Sequence, residues 1–83
     1  MNFYATHYRS GEEIRPGDHV SWAGSPGRVL FVLGSADPQE EGVGSTDWYS
    51  EEFGEGFMLD VEGMGWVFEP ESDEDLDFLG RKK

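Results

Sequence analysis

Cysteine is absent from this 83-residue chain, which excludes disulfides and any thiolate metal site. Lysine and arginine are absent from residues 37–77, so that stretch holds no cation of its own to neutralise its carboxylates. Long apolar runs are missing too. The longest, "VLFVL" at 29–33, is far too short to span a bilayer, and "MNFYATHYRS" has neither a basic n-region nor an apolar h-region. A cytoplasmic protein with no membrane partner is expected.

Metal and catalytic signatures are equally scarce. His7 and His19, without cysteine, could close a tetrahedral zinc site only by recruiting carboxylates at unrelated spacings. "DPQEEGVGSTDW" opens like a calcium loop, with Asp37, Gln39, Glu41 and Gly42, but Trp48 stands where the bidentate glutamate is required. No metal or other cofactor is expected. No serine or histidine lies in a nucleophile motif, and the neighbours Asp18 and His19 would point to opposite faces of a strand. A chain this short also has little room for a substrate cleft. The protein is not expected to be an enzyme.

Aromatic residues are plentiful: six Phe, three Trp and three Tyr. A domain of this size buries only about 60% of its unfolded surface, so these large side chains must supply much of the core. Against them stand a hydrophobic fraction of 36% and a net charge of −12. A folded but marginally stable single domain, residues 1–83, is expected.

Charge is divided along the chain. Residues 1–36 balance Arg9, Arg15 and Arg28 against Glu12, Glu13 and Asp18, and residues 37–77 hold fifteen acids. A basic tail follows at 81–83, which suits the C-terminus of a helix or a disordered end. The whole net charge therefore belongs to the second half, at a cost in self-repulsion.

Local signals predict mostly short strands. "IRPGD" reads as a turn, and "HVSWA" follows with Val20 and Trp22 on one face. Pro26 and Gly27 in "GSPG" fit the centre of a type II turn, leading into "RVLFVLG", whose unbroken apolar character predicts burial on both faces. Residues 35–45 form a polar loop. "STDWYSEEFG" predicts a short helix capped by Ser45 or Thr46 and stopped by Gly54. "GFMLDV" and "WVFEP" predict a second hairpin across "EGMG", with Trp66 and Phe68 in the core. Ser72 before Asp73, Glu74 and Asp75 predicts a terminal helix that Gly80 ends. The inward phases of these strands place Val20, Trp22, Val29, Phe31, Leu33, Leu59 and Val67 in the core.

These elements give a mainly β fold: a small SH3-like barrel or a strongly twisted antiparallel sheet, with one or two short helices. Ile14, Gly17, Asp18, Val20, Gly24, Gly27, Val29 and Val32 resemble the "I-x-x-G-D-x-V…G-x-x-G-x-V" pattern that opens many SH3-like barrels, including the KOW type. The resemblance covers about twenty residues and implies a scaffold. KOW-type modules often bind RNA through bases, whereas this acid excess would repel a phosphate backbone, so no direct nucleic-acid partner is expected.

By size, acidity and lack of cysteine the chain resembles bacterial immunity proteins that bind cationic toxins. That resemblance implies a stoichiometric inhibitor, a monomer or weak dimer, occluding the basic active site or groove of a toxin or nuclease. Trp48 and Tyr49 would anchor the contact, while Glu51, Glu52, Glu55, Glu71, Asp73, Glu74, Asp75 and Asp77 steer it. A DNA mimic acting on a nucleic-acid-binding or CRISPR system, and an SH3-like adapter module, are the alternative readings. Trp48 could instead close one end of the core.

Overall fold

Among the described residues, turns rich in glycine and aspartate separate five short strands. The computed structural model describes residues 3–35 and 37–81, and contains β1 (His19–Trp22), β2 (Ser25–Val32), α1 (Asp47–Phe53), β3 (Phe57–Val61), β4 (Gly65–Glu69) and β5 (Leu76–Gly80), with a 3-10 turn at Phe3–Ala5. All pairings are antiparallel, in one sheet ordered β4-β3-β2-β1-β5. The described residues are thus mainly β with one short α-helix, the mainly β fold that the sequence predicts.

The first hairpin forms, but its turn sits earlier than expected. Trp22 pairs with Ser25, leaving Ala23 (φ 51) and Gly24 (φ 86) as a two-residue loop with positive φ at both positions. That loop matches the right-handed twist of the flanking strands, whereas the type II turn predicted at Pro26-Gly27 would splay them. Pro26 lies within β2 opposite Ser21. Antiparallel alternation makes this a non-hydrogen-bonded pair, so the missing N–H breaks no rung between β1 and β2.

Burial on both faces of β2 has a specific cause. Val29 and Val32 join the cluster containing Val20, Phe57, Leu59 and Leu76, while Leu30 and Phe31 join Leu33 and Met58 in another. Alternation alone sends neighbouring side chains to the two faces, and the bulge between Val29 and Phe31 is what lets the consecutive Leu30 and Phe31 join the same cluster. Full burial of each large side chain contributes about 1.5–3 kcal/mol. Of the expected core, Val20, Val29, Phe31, Leu33 and Leu59 are buried, and Trp22 and Val67 pack half-buried against the first cluster. Trp66 is half exposed instead: it shares a face of β4 with Phe68, but the rings of α1 stack on Phe68 and leave Trp66 open.

The C-terminal helix predicted after Ser72 does not form. Leu76–Gly80 is β5, paired with β1, which buries Leu76 and packs Phe78 on the core, a gain no one-turn helix offers. Ser72 caps nothing: its hydroxyl, fully buried, donates to His7 O at 2.6 Å, and its N–H donates to Tyr4 O at 2.8 Å. Asp73 Oδ1 instead accepts from Asp75 N–H at 3.0 Å, a local turn that competes with helix and delivers the chain into β5.

The N-terminal segment closes the core from outside the sheet with Tyr8 and Ile14. Asp18, fully buried, locks it there. Its Oδ2 accepts from Tyr8 Oη at 2.7 Å and Arg15 N–H at 3.0 Å, and its Oδ1 from Arg81 Nε at 3.0 Å. Arg81 also donates to Glu13 O at 2.6 Å. The expected role of the basic tail is corrected accordingly: Arg81 neutralises a buried carboxylate and anchors the chain end, while Lys82 and Lys83 lie outside the described residues.

Candidate partner-binding surface

Seven residues of helix are too few to be stable alone, and α1 buries no residue completely. Thr46 stands at its N-cap without a side-chain bond, and Gly54 (φ 76) ends it. Aromatic stacking holds it down. Tyr49 and Phe53, one turn apart, face the sheet, where Phe53 stacks on Phe68 at 4.2 Å between centroids and Tyr49 lies 5.8 Å from Phe68 and 5.3 Å from Phe31.

Trp48 falls on the other side of this seam. It touches Tyr49 and Phe53 edge-on, at 5.0 and 6.0 Å, yet remains 59% exposed. A tryptophan closing the core would not. Phe53 (47%), Trp66 (50%) and Met64 (54%) are exposed as well. Trp66 and Phe68 share one face of β4, so the exposed aromatics gather on α1 and the adjoining sheet face. The sequence pointed to Trp48 and Tyr49 but missed Phe53, Met64 and Trp66. Phe53 was legible as the residue one turn after Tyr49.

Around this apolar group stand carboxylates. Glu51 and Glu52 are exposed on α1, and Glu55 is half-buried just beyond it. The second acidic group enters from elsewhere. Glu74, Asp75 and Asp77 are exposed at and before β5, the other edge strand of the sheet, although Asp73 and Asp75 lie close enough to the end of β4 to act on Glu69. Glu71 is committed to Arg9, 3.7 Å away, and Arg9 in turn donates to Ser72 O and covers the Tyr4 ring. Asp73 shapes the turn described above. Of the residues singled out in the sequence, Trp48, Tyr49, Glu51 and Glu52 therefore share one helix, and 71–77 form a separate group.

Folding also brings cations to the acidic half. Arg15 approaches Asp37 at 3.8 Å, and Arg28 approaches Glu40 at 3.9 Å and Asp60 at 4.0 Å. Among the described residues no such ion pair reaches Glu51, Glu52, Glu62, Glu74, Asp75 or Asp77. Glu69 reports the resulting field: burial, then the Asp73 charge, raise its pKa above the usual glutamate value, Asp75 adds to this, and the Trp22 indole opposes it. Trp22 Nε1 is itself buried and lies beside this carboxylate without reaching hydrogen-bond geometry.

Two shallow clefts lie elsewhere. One, of about 250 Å³, is lined by residues including Glu13, Ile14, Ser35 and Asp37, and the other, of about 320 Å³, by residues including Arg15, Asp37, Glu40 and Arg81. Their arginines are already engaged by carboxylates. Among the described residues no three His, Asp or Glu side chains converge as metal ligands, and no helix is long and apolar enough to cross a membrane. No family model matches this chain, and neither a curated protein nor a solved structure does.

Proposed function

We propose that the chain is an acidic stoichiometric inhibitor, of the kind bacteria use as immunity proteins, which neutralises a cationic toxin or nuclease by covering its basic active site or groove. The observation that carries this reading is the exposed Trp48, Phe53 and Trp66, set in a segment with fifteen acids and no lysine or arginine. Desolvated aromatics set how long a partner stays, and long-range charge sets how fast it arrives. The contact surface is α1 with the outer face of β4. Of the 71–77 acids, Glu71 is held by Arg9 and Asp73 by its turn, and the exposed Glu74, Asp75 and Asp77 act through their field. The SH3-like resemblance of residues 14–32 contributes only the scaffold. It is supported by the Gly17-Asp18 turn and the β1–β2 hairpin, which occur where that pattern sets them. The role is binding without turnover, and it calls for no cofactor.

The test is a titration of the basic protein encoded immediately beside this one. Loss of that protein's toxic or nuclease activity with an endpoint at one equivalent supports the proposal. Full activity at tenfold excess counts against it, as does a neighbouring product that is not basic.

A further inference from the structure

Antiparallel alternation decides what β4 offers on its open side. Val29 O accepts from Gly17 N–H at 2.7 Å and Val29 N–H donates to Asp18 O at 3.0 Å, so the main-chain groups of Val29 face the turn leading into β1. Leu59, its partner on β3, must then direct its own groups toward Val67 of β4. Asp60↔Trp66 and Met58↔Phe68 are the intervening, non-hydrogen-bonded pairs, which leaves the N–H and C=O of Trp66 and Phe68 pointing away from β3. Among the described residues no strand pairs with that side, and no turn or loop backbone hydrogen bond reaches Trp66 or Phe68.

Sheets ordinarily protect such an edge with charge, proline or a bulge. Residues 63–68, "GMGWVF", contain neither charge nor proline, and the β3–β4 register runs without a bulge. Aromatic and β-branched side chains instead make it a good template for another strand.

We propose that β4 receives an extended segment of a basic protein as a sixth, edge-added strand. Main-chain groups of Trp66 and Phe68 bind its backbone, and its alternate side chains pack on Trp66 beside the Phe53 and Trp48 rings of α1. Charge selects this occupant over a second copy of the chain. Glu62 precedes β4, and Glu51 and Glu52 rise on α1, none of them engaged by a cation among the described residues, so lysines on the incoming strand meet carboxylates while a copy carrying −12 is repelled. The inference rests on the proposed basic partner and adds how that partner is held.

The probe is a nine-residue peptide alternating lysine and valine, titrated into the isotope-labelled chain and followed by amide shifts and hydrogen exchange. Two further versions carry N-methyl groups on the odd or on the even residues. An added strand bonds to β4 through alternate residues only. One methylated version should therefore bind at least tenfold more weakly while the other keeps its affinity, with Trp66 and Phe68 amides protected. Comparing Trp66→Ala with Trp66→Pro separates side chain from main chain, since only proline removes the outward donor, and Trp66→Pro should lose more affinity. Equal binding by both methylated peptides, shifts confined to residues 71–77, no binding at millimolar peptide, or self-association through β4 would each overturn the proposal. Inhibition of the neighbouring basic protein is scored separately, so one-to-one inhibition by a chain that ignores the peptide would sink strand addition alone.

Discussion

Glu69 and Asp18 show opposite ways of treating a carboxylate in a small domain. Asp18 is buried, with three donors at 2.7–3.0 Å, one of them the Arg81 guanidinium. Asp18→Ala would leave Tyr8 Oη and Arg15 N–H without their acceptor, while Arg81, 34% exposed, would turn to water. Leaving a buried donor unsatisfied costs about 1–3 kcal/mol, a large part of the stability of so small a domain, and chemical denaturation should show that loss. Among the described residues no cation pairs with Glu69, and its pKa is raised by burial and by Asp73. The sign follows from this. Below the ordinary value of 4.5 the group is neutral in folded and unfolded chains alike, and its contribution is fully present; as pH rises through the raised folded value, ionisation draws stability away. Glu69→Gln, neutral throughout, should raise the thermal midpoint at pH 7 and match the parent at pH 3. A midpoint gap that does not change with pH would show that the charge is not the cause.

Gly56, between α1 and β3, shows how elements constrain single residues. It has φ +129, and a Cβ there would meet Glu69 O at 2.6 Å and the Phe68 ring at 2.7 Å. Gly63 also has positive φ, +82, but opens onto free space. Gly63→Ala should cost about 1 kcal/mol for backbone alone, while Gly56→Ala should cost several times more because β4 must also shift, and urea titration of both variants compares them directly. The sequence announced α1 and both hairpins because their signals are local: an apolar run, a glycine stop, alternation across "EGMG". It misassigned the start of β2 because Pro-Gly satisfies a turn locally, whereas Ala23-Gly24 is chosen by strand twist. Residues 76–80 were read as helix because Ser72-Asp73-Glu74-Asp75 has the composition of a helix start; pairing with β1, far away in sequence (Trp22 with Leu76, His19 with Gly80), carries no local mark. For the same reason the clamp of Asp18, Tyr8 and Arg81 was invisible, as was the exposure of Trp66 on β4. Of the candidate surface, the sequence supplied Trp48 and the acids of α1, and only the fold separated them from residues 71–77.

Charge at the scale of the whole molecule is less one-sided than along the chain. Arg9, Arg15 and Arg28 from the first half fold onto Glu71, Asp37, Glu40 and Asp60 of the second. Exposed pairs of this kind contribute about 0–1 kcal/mol each, so they matter more for the field they remove than for stability. Among the acids they leave uncovered are Glu51 and Glu52 beside the aromatics, Glu62 before β4, and Glu74, Asp75 and Asp77 at and before β5. A steering role for the second group can be separated from contact. Replacing Glu74, Asp75 and Asp77 with Lys spares Asp73, whose Oδ1 shapes the turn, and should leave the fold intact because all three side chains are exposed. Against the proposed basic partner, association should slow by about one to two orders of magnitude at low salt, and the difference should shrink at high salt as screening shortens the field. Trp48→Ala should do the reverse. With 59% of the side chain already exposed it should barely change stability, leave the association rate near that of the parent, and speed dissociation at every salt concentration. Stopped-flow mixing at two ionic strengths measures all four rates. If the lysine variant associates as fast as the parent in low salt, the acids of residues 74–77 are a solvated face, and the partner is drawn by Glu51 and Glu52 alone or by no field at all.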